Sequence, residues 1–474
     1  MGQDLSRLSL FGARQGLESG RVTSRQLTEA CLEAIECRDG RVNSFLTVEY
    51  QAVLRAADEA DQARKAGKRA PLLGIPLAHK DMYYRQGRVS TCGSIIMADQ
   101  PATTTATVLE RLDQAGALEL GALNMSEFAA GPTGHNAHYG DVHNPWHTEH
   151  IPGGSSSGPG AAVAARLCYG SLGSDTGASI RVPAACCGVV GLKPTYGRIS
   201  RYGAMPRSWS NDCMGPLART VMDCAQLMQV LAGRDTRDSS SLDAPVPDYL
   251  AALEQGVKGL RIGVPTRHFA EGVDDEIAEA LTHSRQILEQ AGCRLIDVDV
   301  PDPKLLYDLG ETLSKGEAST IHRRWLQQRP QDYSDHVRTR LEAGQALPAT
   351  RYLEALSLRG EVVRNFIADA FKATVDVLHL PVLGRPVPTL AETDFHSSGT
   401  VGETVSAITR FTRPINYLGL PALSVPCGFS QGGLPIAFQL VGRPLDEDRL
   451  LALGHAYQQL TEWHRMEPEM VASG

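Results

Sequence analysis

Two segments of this sequence bring together the residue types that acyl transfer from an amide needs. They are SDTGAS at 174–179 and GIPLAHKD at 74–81. Such a reaction takes an attacking hydroxyl, a base for its proton, and backbone donors for the oxyanion. SDTGAS offers the hydroxyl of Ser179. Gly177, just ahead of it, frees the backbone so that several N–H groups can converge beside that hydroxyl. The base has to come from elsewhere, and no histidine stands in a motif that suggests the role. Lys80 ends an apolar run that reads as a strand, where partial desolvation favours its neutral, basic form.

The Gly- and Ser-rich stretch PGGSSSGPGAAVAARL at 152–167 admits several readings. It is a flexible turn, or a phosphate nest ahead of a helix. No GK[ST] follows, which excludes a P-loop, and no GxGxxG occurs. Gly154, Ser156 and Gly158 satisfy the GxSxG pattern of a nucleophile elbow. That elbow needs a strand directly before it, and NPWHTEHIPG is polar and broken by proline. Five histidines (His135, His138, His143, His147 and His150) crowd one loop. Their spacing is not HExxH and Pro145 interrupts any helix there. They read as solvent-facing, and no metal is expected. His79 points to the opposite strand face from Lys80 and reads as a packing residue.

The elements that would position these groups can be read coarsely. Residues 1–68 read as helical, with a capping box from Thr23 and Gln26 and an apolar face of Leu27, Ala30, Cys31, Ala34 and Ile35. An Ala-rich helix is expected over 47–67. From 69 to 233, short apolar runs alternate with Gly, Ser and Pro clusters. LGIPLAHKD and GALELGALN read as strands, TATVLERLDQAG and TVMDCAQLMQVLAG as helices. Residues 260–301 form a strand–helix–strand unit, 303–372 are mostly helical, and VDVLHLPVL, ALSVPCGF and PIAFQLVG supply late strands. Strands alternating with helices imply an α/β fold with a buried sheet. No repeat or linker is evident. A single domain is therefore expected over 1–474, with a helical segment at 1–68, a core at 69–233 and the rest of the sheet and its covering helices at 234–474.

Bulk properties narrow the class. With 474 residues, 42% hydrophobic and 21% charged, the chain can bury a sizeable core. A net charge of −8 argues against nucleic acid or an anionic membrane as the main partner. No apolar run is long enough for a signal peptide or a membrane-spanning helix. The ten cysteines form no CxxC and read as reduced thiols, mostly in the core. A cytoplasmic location is expected.

The segment from Gly153 to Lys193 resembles, without a gap, the amidase signature family: GGSSSG, then GSDTGASIR, then CGVVGLKP. GIPLAHKD, NMSEFA, NPW, NDCMGPLAR and PINYLGLPALSVPCGF match further segments in the correct order. The resemblance spans about residues 20–460. It implies an α/β/α sandwich around a large mixed, twisted sheet, and hydrolysis of a carboxamide through an acyl-enzyme without a cofactor. By position, Ser179 takes the nucleophile's place, Ser155 that of the bridging serine held across a cis peptide, and Lys80 that of the terminal base. Thr176, Gly177, Ala178 and Ser179 would form the oxyanion hole. Ser156, Asp175 and Arg181 would support the loop. Three departures stand out: Ala178 and Ser157 replace glycines, and Pro159 replaces a polar residue. If position 178 needs positive φ, alanine there is strained.

Phe128, Gly131, Met205 and Trp209 are candidate pocket residues. The motifs also resemble glutaminase subunits of tRNA-dependent amidotransferases, which hold the glutamine carboxylate with an arginine and its amine with an acid. Arg340 falls near the first position and Thr409 at the second. Threonine offers an ammonium no charge, so free glutamine is expected to be a poor substrate and an uncharged or acidic amide a better one. The expected partner is a small-molecule amide, with a homodimer left open. An amidotransferase subunit is one alternative and a non-catalytic binding protein on the same fold is another.

Overall fold

Strands arise where the short apolar runs are bounded by Gly and Pro. The computed structural model describes residues 4–372, 374–396 and 401–472. The strands are β1 (Phe45–Val48), β2 (Pro76–Lys80), β3 (Leu118–Leu123), β4 (Ser171–Asp175), β5 (Val190–Lys193), β6 (Cys213–Ala218), β7 (Arg261–Pro265), β8 (Arg294–Val298), β9 (Val377–Pro381), β10 (Ala422–Phe429) and β11 (Pro435–Val441). They form one sheet in the order β1-β3-β2-β4-β6-β5-β10-β11-β9-β7-β8. β2 is parallel to β3 and β4, and β7 to β8 and β9, while the other pairs are antiparallel. Every residue of β2, β4, β6, β9 and β11 is buried. A strand is buried throughout only where both faces of its sheet are covered, here by helices. The fold is the expected α/β/α sandwich around a mixed sheet.

Capping chemistry fixes the flanking helices. Thr23 and Gln26 make a reciprocal capping box on the helix Ser24–Val42. Asp302 caps the helix Pro303–Gln328, whose first residue is a proline that needs no N–H there. The helices Asp335–Gln345 and Ala349–Phe371 complete the helical stretch expected after residue 303.

Two expectations need correction. Residues 47 and 48 are not helical: Thr47 and Val48 end β1 and pair with Ala122 and Gly121 of β3, and the helix occupies Tyr50–Lys65. The FLTV run is β-prone, and its pairing with an otherwise open edge outweighs the Ala-rich sequence that follows. The histidine-rich loop is mostly not solvent-facing, since only His147 is exposed. His135 bonds Asp141 and Thr393, His138 bonds Glu127, and His143 bonds the carbonyl of Thr148. Among the described residues, no three His, Cys, Asp or Glu side chains are grouped to hold a metal ion.

For the chemistry, one adjacency matters most. β2 and β4 are parallel neighbours, with Ala78 opposite Ser171 and His79 opposite Leu172. Their C-terminal ends, Lys80 and Asp175, therefore emerge at the same edge of the sheet. The helix Ser157–Ala164 begins beside them. Gly158 in its first turn lets the backbones close up: a Cβ there would sit 2.4 Å from the carbonyl oxygen of Asn124.

Candidate active site

Lys80 is 1% exposed, and three hydroxyls surround its Nζ: Ser155 Oγ at 2.7 Å, Ser174 Oγ at 2.9 Å and Ser156 Oγ at 3.1 Å. Among the described residues, no carboxylate pairs with it directly. Burial lowers its pKa to about 7, against the opposing pull of Asp212 and Asp175. Neutral Lys80 has two N–H donors and one lone pair, so one hydroxyl has to donate to it. Ser156 is otherwise engaged: its hydroxyl donates to the carbonyl of Ser174 and accepts from the Ser174 N–H, both at 3.2 Å. That leaves Ser155 and Ser174 as donors, with Ser155 at the shorter distance. Ser155 is fully buried, and the Gly154–Ser155 peptide is cis. His79 accepts from the N–H of Leu172 and belongs to the core, as expected.

Ser179 lies in the turn between β4 and the helix Arg181–Cys187 and is 9% exposed. Among the described residues, the N–H groups of Thr176, Gly177, Ala178 and Ser179 donate to no protein acceptor. Those of Ile180 and Arg181 both donate to Asp175 Oδ2, which holds the turn open. Neither Gly177 nor Ala178 has a left-handed φ, so Ala178 carries no strain of that kind and the glycine is not required for it. Ser157 and Pro159 fall in the first turn of their helix, where proline is tolerated because its N–H would be unpaired anyway. No hydrogen bond joins Ser179 Oγ to Ser155 Oγ among the described residues.

A buried ion pair locks this turn. Arg181 and Asp175 are both fully buried, with Nε to Oδ2 at 3.1 Å and Nη2 to Oδ1 at 3.2 Å. Arg181 also donates to Gln439, the carbonyl of Thr412 and Asn416. The amide of Asn416 returns two bonds to Asp175. Burial alone would raise the Asp175 pKa, but the Arg181 charge and these bonds hold it below the usual carboxylate range. Beside the turn, Asp212 accepts from Thr176 Oγ1 at 2.6 Å and from the N–H groups of Arg207 and Ser208.

The candidate pocket residues scatter. Gly131 lines a cavity of about 480 Å³ with Ser126, Ala130 and His336, and the N–H of Ser126 donates to the carbonyl of Ser155. Phe128 is instead a core residue, packed against His322, Trp325 and Tyr333. Met205 is 5% exposed and accepts from the Tyr84 hydroxyl. Trp209 is 41% exposed and faces a different cavity with Gly316 and Tyr352. Arg340 donates to the carbonyl of Ala130 at 3.0 Å, next to Gly131. Thr409 is buried, with its hydroxyl bonded to Val405 and Tyr307. Arg413 turns toward the Ser179 loop, whereas Arg410 donates to the carbonyl of His268, away from it.

The sequence alone did not single out Ser174, whose hydroxyl lies 2.9 Å from Lys80 Nζ. Ser174 had a signal: it stands one residue before the end of the strand parallel to that of Lys80.

The chain belongs to the Amidase family, whose model matches residues 26–451. It is 41% identical over 475 residues to a Glutamyl-tRNA(Gln) amidotransferase subunit of Halorhodospira halophila, covering 96% of this chain and 97% of the relative. Among solved structures, it is similar to one described as an unexpected vestigial protein complex revealing the origins of an s-triazine catabolic enzyme. There the TM-score is 0.89 with 34% identity, over 95% of this chain and 98% of the other. It also resembles the corresponding Glutamyl-tRNA(Gln) amidotransferase subunit of Thermotoga maritima, with TM-score 0.82 and 30% identity over 99% and 98% of the chains. The protein is thus an amidase-family enzyme acting on amide C–N bonds.

Proposed function

We propose that Ser179 attacks a carboxamide and carries the acyl group, with Ser155 and Lys80 as its proton relay. The observation that carries this reading is Lys80: buried, unpaired by any carboxylate, lowered to about 7, and 2.7 Å from Ser155 Oγ. In the first step the Ser179 Oγ–C bond forms, the Ser179 proton passes to Ser155, and that of Ser155 passes to Lys80. The N–H groups of the turn Thr176, Gly177, Ala178 and Ser179 receive the oxyanion. The C–N bond then breaks, and the leaving amine takes a proton back through Ser155. Water repeats the sequence to release the acid. Asp175 and Arg181 act only by holding the turn.

Within this reading, the comparisons favour an amidotransferase subunit over a free-standing amidase. Further curated relatives at 38–40% identity bear the same amidotransferase name. In that role the chain releases ammonia from a carboxamide beside partner chains. Ser179→Ala is expected to lower turnover by at least about 10³-fold while leaving the far-UV spectrum unchanged. Turnover near the wild-type rate would remove Ser179 from the mechanism. Ammonia release from glutamine, by the chain alone and with candidate partner chains, separates the two roles.

A further inference from the structure

A cavity of about 630 Å³ lies at the edge of the sheet away from Ser179. β6 runs antiparallel to β4, with Cys213 opposite Asp175 at the catalytic end and Leu217 opposite Ser171 at the other. Arg219 and Thr220 follow that other end and line the cavity. At about 3.3 Å per residue, the length of β6 puts roughly 20 Å between the two places.

Positive charge dominates this cavity. Among the described residues that line it, Arg7, Arg166, Arg219 and Arg465 are cationic and Glu467 alone is acidic. Glu467 is divided between Arg7 at 3.2 Å and Arg166 at 3.1 Å. Arg7 also meets Asp4, and Arg465 meets Glu462. Arg219 spends Nη1 and Nη2 on the carbonyls of Ser6 and Leu8, and among the described residues no carboxylate pairs with it. Its charge acts on the buried Asp223, but that carboxyl already accepts from the Phe11 N–H, and burial pushes its pKa up. Burial, and then the charge of Arg219, brings Arg166 down to about 10.

Two buried donors of the lining residues lack a protein acceptor. Arg219 is 4% exposed and its Nε has no partner, and Gln458 is 3% exposed and its Nε2 has none. The Val221 N–H donates to Gln458 Oε1 at 2.8 Å, which orients the amide and leaves its NH₂ group as the free donor. Among the described residues, the Met222 N–H, in the first turn of the helix Val221–Leu231, also donates to no protein acceptor. A helix N-terminus favours an anion, and a buried donor without an acceptor is costly.

We infer that this cavity binds a phosphate group, free or on a small molecule, held by Arg166, Arg219 and Gln458 beside the first turn of that helix. A phosphate suits it better than a carboxylate. Its tetrahedral oxygens meet donors from separate segments of the chain, and its charge answers two guanidiniums. Bound there, it joins the segment around Arg7 to the one around Gln458.

The test is isothermal titration of the purified full chain with inorganic phosphate, glycerol 3-phosphate and acetate, at ionic strength matched with chloride. Phosphate or its ester is expected to bind with a Kd of about 1 mM or tighter, and acetate at least about tenfold more weakly. Gln458→Glu keeps the bond from Val221 but replaces the free donor with a charged acceptor, and should weaken phosphate binding at least about tenfold. Arg166→Gln should weaken it by a similar factor, and decides the matter if Gln458→Glu does not fold. Tighter binding of the ester assigns the phosphate to a small molecule, and tighter binding of inorganic phosphate assigns the free ion. No saturable binding of either, acetate binding as tightly, or a phosphate affinity unchanged in the variants overturns the site.

Discussion

Lys80 is where the chemistry of single residues is most exposed to test. It serves as a base only when neutral, and burial puts its pKa at about 7. kcat/KM should therefore rise with pH through that region and level off above it, as a pH–rate profile would show. An activity that falls with pH over the same range would mean the ammonium is the working form. Ser174 refines the point. Its hydroxyl at 2.9 Å helps to hold the ammonium, so Ser174→Ala should move the acidic limb to lower pH. A limb that moved upward would show that Ser174 donates to the neutral amine instead. At this scale much of the site was legible, because Ser179, Gly177 and Asp175 sit within one contiguous turn. Ser174 was less legible, because its meaning lies in its 2.9 Å approach to Lys80 across two paired strands. Phe128 misled for a related reason: an aromatic next to a motif packs inward as readily as outward.

Elements matter here through the two ends they align. Parallel pairing of β2 with β4 brings Lys80 to Ser174, and the Asp175–Arg181 pair turns the chain sharply into the next helix. Removing one partner leaves the other charge buried and uncompensated. Arg181→Met should therefore cost about 3–5 kcal/mol in denaturant unfolding, and activity should be lost along with the turn. A cost below about 1 kcal/mol would mean that water compensates Asp175. The strand ends and the caps at Thr23 and Asp302 follow directly from local sequence. β1 did not, since four residues become a strand only because the edge of β3 is there to pair with them.

At the scale of the molecule, the described residues form one mixed sheet of eleven strands, which carries the site at the C-terminal ends of two neighbouring interior strands. Helices cover it so fully that nine of the ten cysteines are buried, Cys37 being the exposed one. A thiol reagent should therefore modify about one cysteine in the native chain and all of them after unfolding. Several reactive thiols in the native state would show that the helical layers are looser than this packing. Alternation of strands and helices made the layered fold readable. The strand order was not readable, because it depends on long-range pairings such as β5 with β10 that no local pattern announces.

The central claim is that Ser179 becomes acylated. It is tested most directly by peptide mass spectrometry of the native chain after reaction with a covalent serine probe. The account predicts one modified residue, Ser179, and a sharply reduced yield in Lys80→Met, where the relay has lost its base. Modification at Ser156 would restore the elbow reading, and a label on Ser179 that persists undiminished in Lys80→Met would contradict the relay.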